Sequence, residues 1–139
     1  MTVTIYHNPK CGTSRNVLAV LEAAGLEPQI VDYLKVGWNR DQLLSVFAAA
    51  GLSPKQAMRT NVSEATDLGL LDDAVTDEAI LDAMIAHPVL VNRPFVVTDR
   101  GARLCRPSEA VLDLIETWPK GPFYKEDGKM LIDEDGKRI

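Results

Sequence analysis

Cysteine and histidine are scarce in this chain, with two of each among 139 residues. Cys11 and Cys105 stand far apart and do not make a disulfide framework, and with so few histidines they do not make the spacing of a zinc site. Long apolar runs are missing as well. None approaches the roughly 20 residues of a membrane span, and the first residues lack the charged-then-apolar layout of a signal peptide. The expectation is a cytoplasmic protein with no membrane association. Positive charge is also in deficit: the net charge of −5 argues against a nucleic-acid binder that works by neutralising phosphates. A small anionic substrate stays open, because a pocket can be locally positive in an acidic protein. What is present is ordinary for a globular chain, 46% hydrophobic and 25% charged. The length suits one compact domain with a real core, and a monomer is expected.

The first third reads strand, helix, strand. Val3 to Tyr6 is β-prone, and Ser14 to Ala24 carries Val17, Leu18, Val20 and Leu21 at helical spacing, with Gly25 placed to end the helix. Ile30 to Leu34 forms the second strand, completing a βαβ unit of about 30 residues with a parallel pair as its outcome. The middle, about residues 39–87, is helical. Asn39 with Gln42 makes a capping box for Arg40 to Ala50, closed by Gly51. Ser53-Pro54 opens a short helix through Met58, Ser63 another around Glu64 to Leu68, and Thr76 caps a run to Ala86. Val89 to Asn92 reads as extended. Phe95 to Thr98 and Ala102 to Cys105 flank a turn at Asp99 to Gly101 and should pair antiparallel. Pro107-Ser108 starts a last helix to about Glu116. This is a mixed α/β plan with one central sheet. From Pro119 the chain turns Gly-rich and charged. Asp127-Gly128 can close a small hairpin between Phe123-Tyr124 and Met130 to Ile132, and Asp133 to Asp135 lacks the ligand spacing of a calcium loop. A surface tail or flap over residues 119–139 is the expectation.

Chemistry concentrates at the first turn, "HNPKCGTSRN". Cys11 sits where strand gives way to helix, and the unpaired N–H groups of a helix N-terminus favour its thiolate. Lys10 and Arg15 flank it with like effect. Thiolate is the nucleophile, so this placement makes Cys11 a reactive residue. A phosphatase loop would need arginine at position 17, where Val17 stands, and a dithiol oxidoreductase would need cysteine at position 14, which is Ser14. The Ser14 hydroxyl can donate a hydrogen bond to a thiolate or a bound oxyanion but cannot resolve a disulfide. His7 could help hold the thiolate, while Asn8 and Pro9 shape the turn.

Three arginines stand in suggestive places. Arg93 precedes Pro94 and Arg106 precedes Pro107, at the two ends of the expected hairpin, and Arg59 follows the short helix from Pro54. Guanidinium forks suit tetrahedral oxyanions, although any one of them also suits a surface salt bridge. If Arg106 faces a site, strand alternation turns Cys105 to the other side, a buried sheet residue and a poor resolving thiol.

These letters resemble a family. "YHNPKCGTSRN" is similar to the active-site segment of the glutaredoxin-linked arsenate reductases. "VNRPFVVTDRGARLCRPSE" (Val91 to Glu109) resembles their second signature, and "KEDGK…DEDGKR" their C-terminal extension. The similarity runs in order along essentially the whole chain. It implies a thioredoxin-like α/β fold, with a central mixed sheet of about four strands, flanking helices and a helical insertion before the C-terminal hairpin. The corresponding division is a reductase domain over 1–118 and an extension over 119–139 packed on or flanking it. It also implies a cis peptide before Pro94, a rarity on base rates. Cys11 would be the nucleophile, Arg59, Arg93 and Arg106 would hold the oxyanion, and His7, Asn8 and Ser14 would support them. The implied reaction reduces arsenate to arsenite as part of arsenic detoxification, with glutathione as co-substrate and glutaredoxin as partner. No metal, flavin or nicotinamide is required.

Three other readings compete. A glutaredoxin-like thiol transferase explains Cys-x-x-Ser but leaves the arginines idle. A redox-responsive regulator that binds RNA polymerase usually carries Cys-x-x-Cys, which this chain lacks. Shorter relatives of unknown role usually lack the "RLCRPSE" match and the long tail.

Overall fold

The computed structural model describes residues 1–139, which divide into two compact units, Met1–Val31 with Arg93–Ile139, and Asp32–Asn92. The first unit carries the sheet. Its strands are β1 (Thr4–His7), β2 (Gln29–Asp32), β3 (Phe95–Thr98) and β4 (Gly101–Leu104), arranged in the order β2-β1-β3-β4. β3 runs antiparallel to β1 and to β4, whereas β2 enters through the Gln29 N–H on the Val3 carbonyl at 2.8 Å, and the sheet is mixed. The expected antiparallel pairing holds, but the turn is shorter by one residue than the spacing suggested: Thr98 pairs with Gly101, leaving Asp99-Arg100 as a two-residue turn and Gly101 in the strand.

Helix α1 (Gly12–Ala23) buries Ser14, Val17, Val20 and Leu21, one stripe at helical spacing. It stops in a Schellman motif: the Leu26 N–H bonds the Leu21 carbonyl at 3.1 Å and the Gly25 N–H that of Glu22 at 3.0 Å. Gly25 sits at φ 82, a conformation that a side chain would oppose. Val3 and Ile5 of the first strand segment and Val96 of β3 pack with this stripe and with Val111, Leu112 and Ile115 into one apolar cluster.

Two expectations for this unit are corrected. Residues after Pro107 form a 3-10 helix, Ser108–Leu114, and not an α-helix. Five of its seven residues are buried, so the apolar surface lies all round it, and it packs on α1, β3 and β4 together. Its carbonyls are claimed from outside: Trp118 Nε1 donates to Leu112 at 3.1 Å, Thr98 Oγ1 to Leu114 at 2.8 Å and Arg100 Nη1 to Ile115 at 3.2 Å. Tertiary partners thus replace the bonds of a longer helix. Nor is the C-terminal segment a surface tail. Strands β5 (Phe123–Tyr124) and β6 (Met130–Ile132) pair antiparallel, and Leu131 and Ile132, both 0% exposed, belong to the main cluster. The two Asp-Gly sites turn the chain as expected, and the Asp133 carboxylate accepts from the N–H groups of Asp135 and Lys137 at 2.9 Å each.

The second unit is helical. α2 (Tyr33–Val36) begins where the strand was expected to continue, because Tyr33 turns inward, 1% exposed, with its ring 5.6 Å from that of Trp38. α3 (Arg40–Ala50) and α4 (Pro54–Ala57) each start with a complete capping box, Asn39 with Gln42 and Ser53 with Gln56. α5 (Ser63–Asp67) is short, and α6 (Asp77–Ala86), capped by Thr76 Oγ1 on the Ala79 N–H at 3.2 Å, packs against α3 and α4. The stretch expected to be extended at Val89 to Asn92 is instead a 3-10 turn, Pro88–Leu90, followed by a bridge between Val91 and Met58. Pro88 explains the turn, since its fixed φ suits a first helical position. No helix is long and apolar enough to cross a membrane.

Candidate active site

Cys11 is the N-cap of α1, with extended backbone at φ −97 and ψ 121. Its N–H bonds the Asn8 carbonyl at 3.0 Å and its own carbonyl accepts from the Arg15 N–H at 3.0 Å, so the cysteine is fixed from both sides. The thiol is largely buried, 7% exposed. Burial pushes its pKa up. The Ser14 amide, the charge of Arg93, a hydrogen bond from Arg106 and the Thr13 amide act in the other direction, and together they hold the thiol below its ordinary value. Sγ makes no regular capping bond, yet the first-turn amides still favour the thiolate, as a helix N-terminus should.

Arg106 comes to the sulfur from the far end of the hairpin. Its Nη1 lies 3.7 Å from Cys11 Sγ and 3.2 Å from the Arg93 carbonyl, which it also serves as donor. The two arginines are thereby linked beside the thiolate, which gives the site two fixed positive charges in an acidic protein. The peptide before Pro94 is cis, as are those before Pro107 and Pro122. Cys105 points the other way: it is 0% exposed in the apolar cluster, and burial pushes its thiol up to about 12. A thiol so placed is inert near neutrality.

The hydroxyl of Ser14, which the sequence allowed to bond a thiolate or an oxyanion, is engaged within its own loop. Ser14 is 0% exposed, and its Oγ accepts from the Asn8 N–H at 3.0 Å while meeting His7 Nδ1 at 2.6 Å. The hydroxyl braces the cysteine loop, and only its backbone amide acts on the thiolate. His7, 7% exposed at the end of β1, bears on the loop through this serine. Asn8 closes a turn with its Oδ1 on the Lys10 N–H at 3.0 Å. Arg15 flanks the sulfur as a cation, its charged form favoured first by the bond to Glu126 and in smaller part by the Cys11 charge. Its fork is divided between Glu126, with Nε to Oε1 at 2.8 Å, and the Pro9 carbonyl, with Nη1 at 2.8 Å. Glu126 and Asn16 escaped the reading of the sequence, because their bond spans 110 residues and leaves no local pattern. Arg59 belongs to the helical unit, where its N–H bonds the Leu90 carbonyl at 2.7 Å and its Nε the Asn61 Oδ1 at 3.2 Å.

Comparison with known proteins places the whole chain among similar sequences. The pattern of the ArsC family matches residues 6–114. An arsenate reductase of Synechocystis is 60% identical over 137 residues, covering 99% of this chain and 98% of that protein. One from Rhizobium meliloti is 56% identical over 139 residues, covering 100% and 99%, and one from Escherichia coli 50% over 137, covering 99% and 97%. Among solved structures, an arsenate reductase from Vibrio cholerae superposes with a TM-score of 0.80 at 40% identity, covering 83% of this chain and 98% of its own. The fold is the thioredoxin-like one that the signatures implied.

Proposed function

We propose that this chain, which belongs to the ArsC family, is an arsenate reductase that turns arsenate into arsenite for detoxification, with Cys11 as its nucleophile. The observation that carries the reading is the depressed thiol of Cys11 with the Arg106 guanidinium 3.7 Å from its sulfur. A thiolate beside fixed cations is suited to attack a tetrahedral oxyanion whose charge those cations neutralise. The Cys11 sulfur bonds arsenic(V), and one arsenic–oxygen bond breaks with its oxygen leaving as water. Arg93 and Arg106 hold the oxyanion, and Arg59 joins them on the strength of the resemblance alone. His7, Asn8 and Ser14 keep the loop in shape.

Glutathione supplies the second thiol. Its sulfur joins the adduct, and the two sulfurs then bond to each other as arsenic takes up their electron pair and leaves as arsenite. Two thiols have become one Cys11–glutathione disulfide and arsenic has gained two electrons, with one water released overall. Glutaredoxin removes the glutathione by thiol exchange and restores Cys11. The lone motif cysteine fits this scheme because the other sulfurs arrive on separate molecules, and Cys105, buried at about 12, is unsuited to replace them. The reaction needs no metal. A cytoplasmic setting, where such thiols are kept reduced, matches the chemistry.

The test couples glutathione, glutaredoxin, glutathione reductase and NADPH, and follows NADPH loss with and without arsenate. Arsenate-dependent oxidation that vanishes in Cys11→Ser is expected. Turnover without arsenate would favour a thiol transferase instead, and full activity in Cys11→Ser would end the proposed mechanism.

A further inference from the structure

The tip of the β5–β6 hairpin is tied to both chain segments that bring groups to Cys11. Glu126 Oε1 accepts from Arg15 Nε at 2.8 Å, and Arg15 Nη1 holds the Pro9 carbonyl at 2.8 Å, two residues before the cysteine. The Glu126 N–H donates to Asn16 Oδ1 at 3.0 Å on the next residue of α1. Beside it, Lys125 pairs with Glu109 at 2.6 Å, with the two side chains 18% and 22% exposed. Glu109 stands three residues after Arg106. One short turn therefore grips the cysteine loop with one residue and the Arg106 segment with its neighbour.

A guanidinium is planar, so a carboxylate on Nε fixes the plane in which Nη1 meets its second acceptor. As an ion pair alone the contact is weak, since both side chains are about half exposed. Its position is more telling. A Cβ on Gly12 would sit 3.5 Å from Glu126 Oε2, so the carboxylate lies over the residue that follows the nucleophile. Negative charge there opposes a thiolate and an incoming oxyanion. Its presence is consistent with a geometric task that outweighs this repulsion.

We propose that Glu126 is a positioning residue for Cys11: it orients Arg15, which holds the Pro9 carbonyl and so keeps the thiolate facing Arg106. The inference deepens the reading of Cys11 as the nucleophile and rests on it. Lys125 on Glu109 keeps the same hairpin tip in register with the Arg106 segment.

The experiment uses the full chain with Glu126→Ala and Glu126→Gln, and measures the pH profile of Cys11 alkylation by iodoacetamide. If Glu126 positions the loop, the alanine variant reacts more slowly at neutral pH, by up to about fivefold, the upper effect of an exposed pair. Its profile moves to higher pH. The glutamine variant recovers part of the loss, because its amide oxygen still accepts from Arg15. If the carboxylate acts only as a charge, both variants react faster and their profiles move to lower pH, which overturns the proposal. A lowered melting temperature with an unchanged profile overturns it as well, leaving a purely structural contact. Alkylation requires no arsenate. A profile that shifts as expected in a protein without arsenate-dependent turnover would therefore refute the proposed function and leave the positioning role standing.

Discussion

Replacing Arg106 by glutamine should slow alkylation of Cys11 at neutral pH by about fivefold without unfolding the protein. The magnitude follows from the 3.7 Å between Nη1 and Sγ. Two unit charges at that separation attract by about 1 kcal/mol in a water-like medium and by about 4 kcal/mol at an effective dielectric constant near 20. Arg106 is exposed, so solvent screens it and the lower figure applies. About 1 kcal/mol is a factor of roughly five in the thiolate-to-thiol ratio, which sets the rate wherever the thiol predominates. The Ser14 amide and the Arg93 charge act on the sulfur more strongly than the Arg106 bond. Arg93→Gln should therefore slow alkylation more than Arg106→Gln, and neither should abolish it. Cys105 stays silent in the assay, being 0% exposed with its thiol pushed up to about 12. Raising ionic strength should weaken the arginine contributions and spare that of the amide. An Arg106→Gln profile identical to the parent's would refute the electrostatic account, and a larger effect at Arg106 than at Arg93 would refute the ranking.

Further outcomes follow from the same contacts. Ser14→Ala leaves the Asn8 N–H and His7 Nδ1 without their shared oxygen, and should cost about 1–3 kcal/mol in urea unfolding while also slowing Cys11 alkylation. A loss of stability with unchanged thiol reactivity would mean the brace does not govern the cysteine. Gly121→Ala would drive a Cβ into the carbonyl oxygen of Asp133, a backbone atom that yields poorly, and should destabilise by roughly 2–4 kcal/mol in the same assay. A neutral effect would show that the C-terminal hairpin moves freely. For Cys105 the folded pKa lies above the unfolded one, so its contribution is complete below the ordinary thiol range and is lost as pH rises toward about 12. Stability should fall with pH across that window, and more steeply than in Cys105→Ala. Parallel pH profiles for the two proteins would contradict the burial argument.

Much of this molecule is legible along short stretches of chain. Asn39 with Gln42, Ser53 with Gln56 and Thr76 all cap the helices they precede, because a cap bonds an amide two or three residues away. Gly25 ends α1 and the Asp99-Arg100 turn joins β3 to β4 for equally local reasons. The place of Cys11 at a helix N-terminus could be read because strand, turn and helix start are all written within ten residues of it. Legibility ends where a distant partner decides. Tyr33 leaves its strand to bury its ring, and Ser108–Leu114 winds as a 3-10 helix because three outside donors claim carbonyls within it and just beyond.

The same boundary runs through the site. By itself the sequence determined a thiol at a helix N-terminus, the arginines available to it and the lack of a second motif cysteine. Only the tertiary structure decided that Arg106, 95 residues on, reaches the sulfur, that Ser14 braces His7 and Asn8, and that residues 125–132 close over α1 and the core. The physical reason is range. Helix-end amides act within one turn of the residue they polarise, so their effect can be read from neighbours in the chain. A guanidinium or carboxylate acts wherever the packed core delivers it, and that delivery is specified by the burial of Val96, Val111, Leu131 and Ile132 together and by no segment alone.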